Sequence, residues 1–217
     1  MTVSIKICCI QTESEALLAA RAGADMIGLV GAMPSGPGPI PDSEIASISD
    51  RMRERISTVL LTSETTLEGI VAHIARCNPD AVQLVDRVPA QVFAAIRAAF
   101  PALRIFQVIH MQTTADIETA LDAARRADAL LLDSGQPDAA LRQLGGTGRV
   151  HDWALSAKVA ARACCPVWLA GGLTPDNVAE AVRTVRPHGV DVCSGVRVDG
   201  QLQPALLDSF IRNARAA

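Results

Sequence analysis

At 217 residues, 49% of them hydrophobic, the chain can bury a substantial core and falls within the range of one α/β barrel domain spanning residues 1–217. Twenty Lys and Arg against 23 Asp and Glu leave a net charge of −3, which offers no general attraction to nucleic acid or an anionic membrane and points to a small-molecule partner. No stretch approaches the roughly 18 consecutive apolar residues of a membrane span, and no signal-peptide core precedes Lys6, so a soluble cytoplasmic protein is expected.

Short apolar runs alternate with amphipathic stretches along the whole chain. Strands are predicted near Val3 to Cys8, Met26 to Val30, Ser57 to Leu61, Ala81 to Leu84, Arg104 to Ile109, Ala129 to Asp133, Val167 to Ala170 and Gly189 to Cys193. Helices are predicted to open near Ser14, Asp42, Thr66, Pro89, Thr114, Asp152, Pro175 and Pro204, where Ser, Thr, Asp or Pro supplies the start signal. Repeated βα units imply a parallel sheet covered by helices, and at this length the sheet closes into a single-domain (β/α)8 TIM barrel rather than staying open.

In such a barrel the chemistry sits on the loops that follow the strands. Two of these loops stand out. Residues 31–41 carry Gly31, Gly36 and Gly38 with Pro34, Pro37, Pro39 and Pro41, and residues 134–150 are long and glycine-rich; both suit substrate shaping better than core packing. The six cysteines include the adjacent pairs Cys8-Cys9 and Cys164-Cys165, a pattern that fits neither a disulfide framework nor Cys-x-x-Cys zinc spacing, so most read as small core residues. His73, His110, His151 and His188 show no ligand spacing among themselves, and no metal is expected.

Gly171-Gly172 can bring bare amides close to an anion, and a helix opening at Thr174-Pro175 would add unpaired N–H groups and the positive end of its dipole. Ser194-Gly195 after the eighth strand supplies a second small-residue turn, and loops seven and eight together form the usual barrel phosphate site. Taken singly, each is also an ordinary strand-to-helix turn.

Cys8 ends the first strand with its side chain directed into the barrel mouth. It can serve as a base only if its pKa falls from roughly 8.5 toward neutrality; taken alone it reads as a buried, inert thiol. Asp133 follows Ala129-Leu130-Leu131-Leu132, and a carboxyl group at the end of such a run is costly to bury unless it is paired or functional. It is the candidate general acid, with turn capping as the plainer alternative. Asp191, inside the eighth strand, is expected to pair structurally with Lys6.

Taken in order, Lys6-Ile7-Cys8, Ala22-Gly23-Ala24-Asp25 with Gly28, Val82-Gln83-Leu84, Leu131-Leu132-Asp133, Gly145-Gly146-Thr147-Gly148 ending in Asp152-Trp153, Gly171 through Val178, and Val190-Asp191-Val192 with Ser194-Gly195-Val196 resemble the phosphoribosylanthranilate isomerase family over nearly the whole chain. The resemblance implies a (β/α)8 barrel without cofactor or metal. It also implies an aldose-ketose isomerase of tryptophan biosynthesis that carries out an Amadori rearrangement of a small phosphorylated aminosugar, N-(5-phosphoribosyl)anthranilate. Asp133 would protonate the ring oxygen and Cys8 would remove the C2 proton. Gly148, Gly171, Gly172, Ser194 and Gly195 would hold the phosphate.

Several positions depart from the family pattern. The loop after the second strand lacks the arginine that meets the anthranilate carboxylate, and no other cation in residues 31–40 replaces it. Cys9 stands where the family has glycine, Val85-Asp86 where His-Gly is usual, and Arg197 where an acidic residue is common. These changes leave room for a paralogue that isomerises another N-substituted aminoribose phosphate. A noncatalytic phosphometabolite-binding barrel would keep the late loops without needing Cys8 or Asp133. An indole-glycerol-phosphate synthase type of enzyme needs a lysine acid at the mouth, and the chain has only Lys6 and Lys158.

Overall fold

The computed structural model describes residues 2–135 and 151–217. Eight parallel strands pair in sequence order and close on themselves. They are β1 (Ser4–Ile7), β2 (Met26–Val30), β3 (Ser57–Thr62), β4 (Ala81–Leu84), β5 (Arg104–His110), β6 (Ala129–Asp133), β7 (Val167–Leu169) and β8 (Gly189–Val192). Helices α1 (Glu13–Ala22), α2 (Asp42–Met52), α3 (Leu67–Cys77), α4 (Ala90–Ala99), α5 (Ala115–Ala124), α6 (Trp153–Arg162), α7 (Val178–Val185) and α8 (Pro204–Arg215) follow the strands in turn. The barrel expected from the alternation is the fold observed.

Local chemistry explains the helix starts. The side chains of Thr12, Thr66 and Asp152 accept hydrogen bonds from Glu15, Gly69 and Ala154 N–H, and Pro204 occupies the first turn of α8. One start differs from the expectation. Helix α7 begins at Val178 rather than Pro175, because Asn177 Oδ1 accepts from Thr174 N at 2.8 Å while its Nδ2 donates to the Gly172 carbonyl at 2.9 Å. The intervening residues form a braced turn, so Thr174 N–H is already engaged and the helix dipole ends farther along the chain. A short 3-10 turn, Ser194–Val196, and a hairpin of β9 (Arg197–Val198) and β10 (Gln201–Leu202) precede α8; both are too brief to leave a periodic signal.

Alternation along each strand makes two cores. Ile5, Ile7, Leu130, Leu132, Val190 and Val192 pack outward against the helices. Met26, Val59, Phe106, Leu131 and Trp168 fill the interior, where Phe106 and Trp168 meet edge-on with ring centroids 5.8 Å apart. Gly189 makes room for the indole: a Cβ there would stand 2.6 Å from Trp168 Cζ3.

At the N-terminal face one device recurs three times. Asp25, Asp80 and Asp128, each just before an even-numbered strand, accept the backbone N–H of Ile5, Thr58 and Ile105 at 2.8 Å, tying each odd strand to its successor. Asp80 also takes the Thr58 hydroxyl at 3.0 Å. Asp80→Ala strands both donors at the face remote from the strand-end loops. The expected result is a loss of about 2 kcal/mol in urea unfolding with unchanged catalytic efficiency.

Candidate active site

The period of two that buries Ile5 and Ile7 against the helices turns Lys6 and Cys8 into the barrel. Lys6 Nζ lies 2.8 Å from Asp191 Oδ2, with the two side chains 0% and 6% exposed, as expected from their strand positions. Burial by itself would strip the charge from Lys6, but attraction to Asp191 and to the Cys8 sulfur outweighs it and holds the ammonium above its usual pKa. The missing side chain of Gly28 on β2 gives these groups their space: a Cβ there would sit 2.8 Å from Cys8 Sγ and 3.1 Å from Lys6 Nζ.

Cys8 has the electrostatics of a buried thiol, the reading it carries when taken alone. Instead of falling toward neutrality, its pKa is pushed up to about 11, because burial penalises the thiolate more than the neighbouring Lys6 ammonium favours it, and Asp191 adds to the rise. The resting sulfur is therefore a thiol at neutral pH. Any base function requires added positive charge or close proton exchange to draw out the thiolate.

Asp133 ends β6 at 8% exposure, and its Oδ1 accepts Ser134 N–H at 2.6 Å. It thus does the local turn work of an aspartate while facing the interior. Gly171 on the next loop packs directly against it; a Cβ on Gly171 would come within 3.0 Å of Asp133 Oδ1. Gly171 and Gly172 have φ of 83° and 65°, left-handed values that glycine adopts without strain.

Cys8, Asp133, Gly171, Gly172 and Ser194 line one cleft. Gly195 packs behind that surface, where a Cβ would collide with the Leu173 carbonyl and lie 3.1 Å from Thr174 Cα, so loops seven and eight converge through backbone contact. Gly148 and the rest of residues 136–150 lie outside the described residues. The β2–α2 loop contributes Met33, Ser35, Gly36 and Pro37 to the cleft, and among the described lining residues none is Lys or Arg.

Gln83 and Asp191 also line the cleft, each with a buried oxygen, Oε1 and Oδ1, that has no hydrogen-bond partner among the described residues. Their signal in the sequence was a lone polar residue inside an apolar strand, at Val82-Gln83-Leu84 and Val190-Asp191-Val192. In the loop after β4, Val85 reaches the cleft while Asp86 turns to accept the Arg87 N–H at 2.7 Å.

The remaining departures form one cluster. Cys9 has φ of 60°, the conformation that makes glycine favourable here, and its sulfur is joined to Cys193 in a disulfide with a Cα–Cα distance of 5.8 Å. This corrects the reading of the cysteines as unpaired core residues. Two positions 184 residues apart give no local spacing to recognise; barrel closure brings them together. Arg197 is buried beside them, donating to Glu15 at 2.7 and 3.0 Å and to the Cys9 carbonyl at 2.6 Å. Burial works against the Glu15 carboxylate, yet the bonds from Arg197 and from the Gln11 and Leu202 N–H groups hold its pKa below the ordinary value. Arg197 thus fixes the backbone beside Cys8.

The family model described as N-(5'phosphoribosyl)anthranilate (PRA) isomerase matches residues 5–213. The N-(5'-phosphoribosyl)anthranilate isomerase of Haloarcula marismortui is 36% identical over 215 residues, covering 98% of this chain and 96% of its own. That of Methanocella arvoryzae is 34% identical over 212 residues, covering 97% of each. Among solved structures, N-(5'-phosphoribosyl)anthranilate isomerase from Pyrococcus furiosus is similar with a TM-score of 0.83 and 26% identity, covering 99% of this chain and 100% of that one. A phosphoribosyl anthranilate isomerase in complex with reduced 1-(o-carboxyphenylamino)-1-deoxyribulose 5-phosphate gives a TM-score of 0.80 at 27% identity, with the same coverage.

Two measurements probe this arrangement. With Cys164 and Cys165 replaced by alanine, alkylation of Cys8 by iodoacetamide, followed by peptide mass spectrometry, should be slow at pH 7 and rise about tenfold per pH unit through pH 10; a plateau below pH 8 contradicts the raised thiol. Reduction of the Cys9–Cys193 bond, or Cys193→Ser, should remove about 3 kcal/mol of stability and lower Tm by about 10 °C at this chain length, as read by calorimetry.

Proposed function

Because the chain belongs to the N-(5'-phosphoribosyl)anthranilate isomerase family, we propose that its cleft carries out the aldose-ketose isomerisation of N-(5'-phosphoribosyl)anthranilate, with Asp133 as general acid and Cys8 as general base. The observation that carries this reading is the meeting of Cys8 and Asp133 with Gly171, Gly172 and Ser194 around one cleft. Asp133 gives a proton to the furanose ring oxygen; the C1–O bond breaks and the nitrogen lone pair forms an iminium. Positive charge on that nitrogen acidifies the C2 proton and favours a thiolate nearby, offsetting the burial that holds Cys8 as a thiol. Cys8, its own proton released to solvent as the iminium charge draws out the thiolate, then takes the C2 proton, and the enolamine that results tautomerises to the 1-amino-1-deoxyketose. Lys6 steadies the thiolate without touching the sugar, since it is wholly buried against Asp191.

The phosphate is assigned to the turn at Gly171-Gly172 and to Ser194-Gly195, with Gly148 as a further partner. Backbone amides suit this task because a dianion held remotely orients C1 and C2 and contributes binding energy away from the bonds that change. Asn177 supports the turn from behind through its bonds to Thr174 and Gly172. The substrate is thus gripped at one end by fixed backbone and worked on at the other by two side chains. We take the setting to be cytoplasmic; no helix among the described residues is long and apolar enough to cross a membrane.

One observation favours a narrower second reading. The part of the cleft formed by Met33, Ser35, Gly36 and Pro37 has no cation to meet an aglycone carboxylate among its described residues, which supports a paralogue that performs the same chemistry on a different N-substituted aminoribose phosphate. Steady-state turnover of N-(5'-phosphoribosyl)anthranilate decides between them: high catalytic efficiency dismisses altered specificity, whereas a slow reaction with KM raised more than tenfold supports it. Cys8→Ser and Asp133→Asn should each lower kcat by about 10²–10⁴-fold with product affinity changed only a few-fold by calorimetric titration. Full activity in either variant overturns the assigned roles.

A further inference from the structure

Outside the cleft, three side chains of metal-ligating type meet at the root of the β2–α2 loop. Asp42 opens α2, and His73 and Cys77 lie one turn apart on the same face of α3. A carboxylate oxygen of Asp42, an imidazole nitrogen of His73 and the Cys77 sulfur all fall within 4.8 Å of one another. The histidines lack ligand spacing among themselves, but His73 finds its companion in a cysteine four residues on.

The ring is held so that one nitrogen faces this cluster. His73 Nδ1 lies 2.8 Å from Thr62 Oγ1, leaving Nε2 turned toward Asp42. Nε2 is buried 3.2 Å from Asp42 Oδ1, an ion-pair contact that falls short of a well-formed hydrogen bond. A tetrahedral zinc ion with nitrogen and oxygen ligands at about 2.0–2.1 Å sets those ligands about 3.3 Å apart. Asp42 Oδ2 is meanwhile occupied by Arg76 Nε at 2.8 Å, an outer contact that fixes which oxygen faces inward. Gly31 keeps the space beside the ring open, since a Cβ there would lie 2.7 Å from Nε2.

We propose that Asp42, His73 and Cys77 bind a zinc ion, with the fourth position open to water on the half-buried Asp42 side. Nitrogen, oxygen and thiolate donors suit this borderline-soft cation, and the Cys77 proton leaves to solvent as the sulfur ligates. The loop of residues 31–41 starts at Gly31, against the His73 ring, and ends at Pro41, next to Asp42, so one ion would clamp both ends of the segment that supplies Met33, Ser35, Gly36 and Pro37 to the cleft. The site is structural, and it stands whether or not the proposed isomerase chemistry does.

The test is titration of the full-length protein, stripped with chelator and carrying Cys164→Ala and Cys165→Ala, with Co2+ followed by absorbance. One ion per chain is expected, with visible ligand-field bands of a tetrahedral site and a thiolate charge-transfer band in the near ultraviolet; Zn2+ should displace it and raise Tm. Cys77→Ala should abolish the charge-transfer band, and Asp42→Asn should weaken binding at least tenfold. If Cys77→Ala fails to fold, Asp42→Asn decides by the same readout. Absence of the thiolate band in the parent protein, its persistence in folded Cys77→Ala, or undiminished affinity in Asp42→Asn overturns the proposal.

Discussion

The buried ion pair between Lys6 and Asp191 is the interaction on which the cleft depends. The two residues face each other in register where the first strand meets the last, so the contact that closes the barrel is also a charge pair removed from water. Neither partner could be left alone at that depth, since an unpaired charge there would cost about 3–5 kcal/mol. The ammonium it secures stands beside Cys8 and opposes the burial that keeps the sulfur protonated. Closure of the fold and the chemistry of the base candidate thus share one electrostatic arrangement, made possible by the missing side chain at Gly28.

Above that pair, the same seam is reinforced by a covalent bond and a second ion pair. Cys9 and Cys193 join the ends of the first and last strands covalently, and Arg197 links the Cys9 carbonyl to Glu15 on α1. Read separately, Cys9 and Arg197 look like losses of a glycine and of an acidic residue. Together they form a local solution in which a side chain occupies a left-handed backbone position and is held there by a bond and a buried cation.

The cleft itself is divided by kind of material. The end carrying Gly171 and Gly172 is built from glycine backbone packed so closely that loops seven and eight touch through Gly195 and Leu173. Another part of the cleft lining is the β2–α2 loop, whose base returns to its start through the hydrogen bond of Ile40 N–H to the Val30 carbonyl. Fixed backbone suits the phosphate proposed for that end, whereas a wall of small and apolar side chains can be altered without disturbing the barrel.

The sequence by itself determined the strand and helix order, because the apolar runs are short, regularly interrupted and flanked by caps such as Thr66 and Asp152, all of which are local signals. It also singled out Cys8, Asp133, Gly171, Gly172 and Ser194, since each lies at a strand end where a barrel gathers its functional groups. Only the tertiary structure decided what their surroundings do: that Cys8 is driven up rather than down in pKa, that Asn177 delays α7, that Gln83 and Asp191 enter the cleft, and that Cys9 reaches Cys193. The physical reason is range. Periodicity and capping act within a few residues, while desolvation, ion pairing and cross-linking depend on which distant segments the closed barrel brings together.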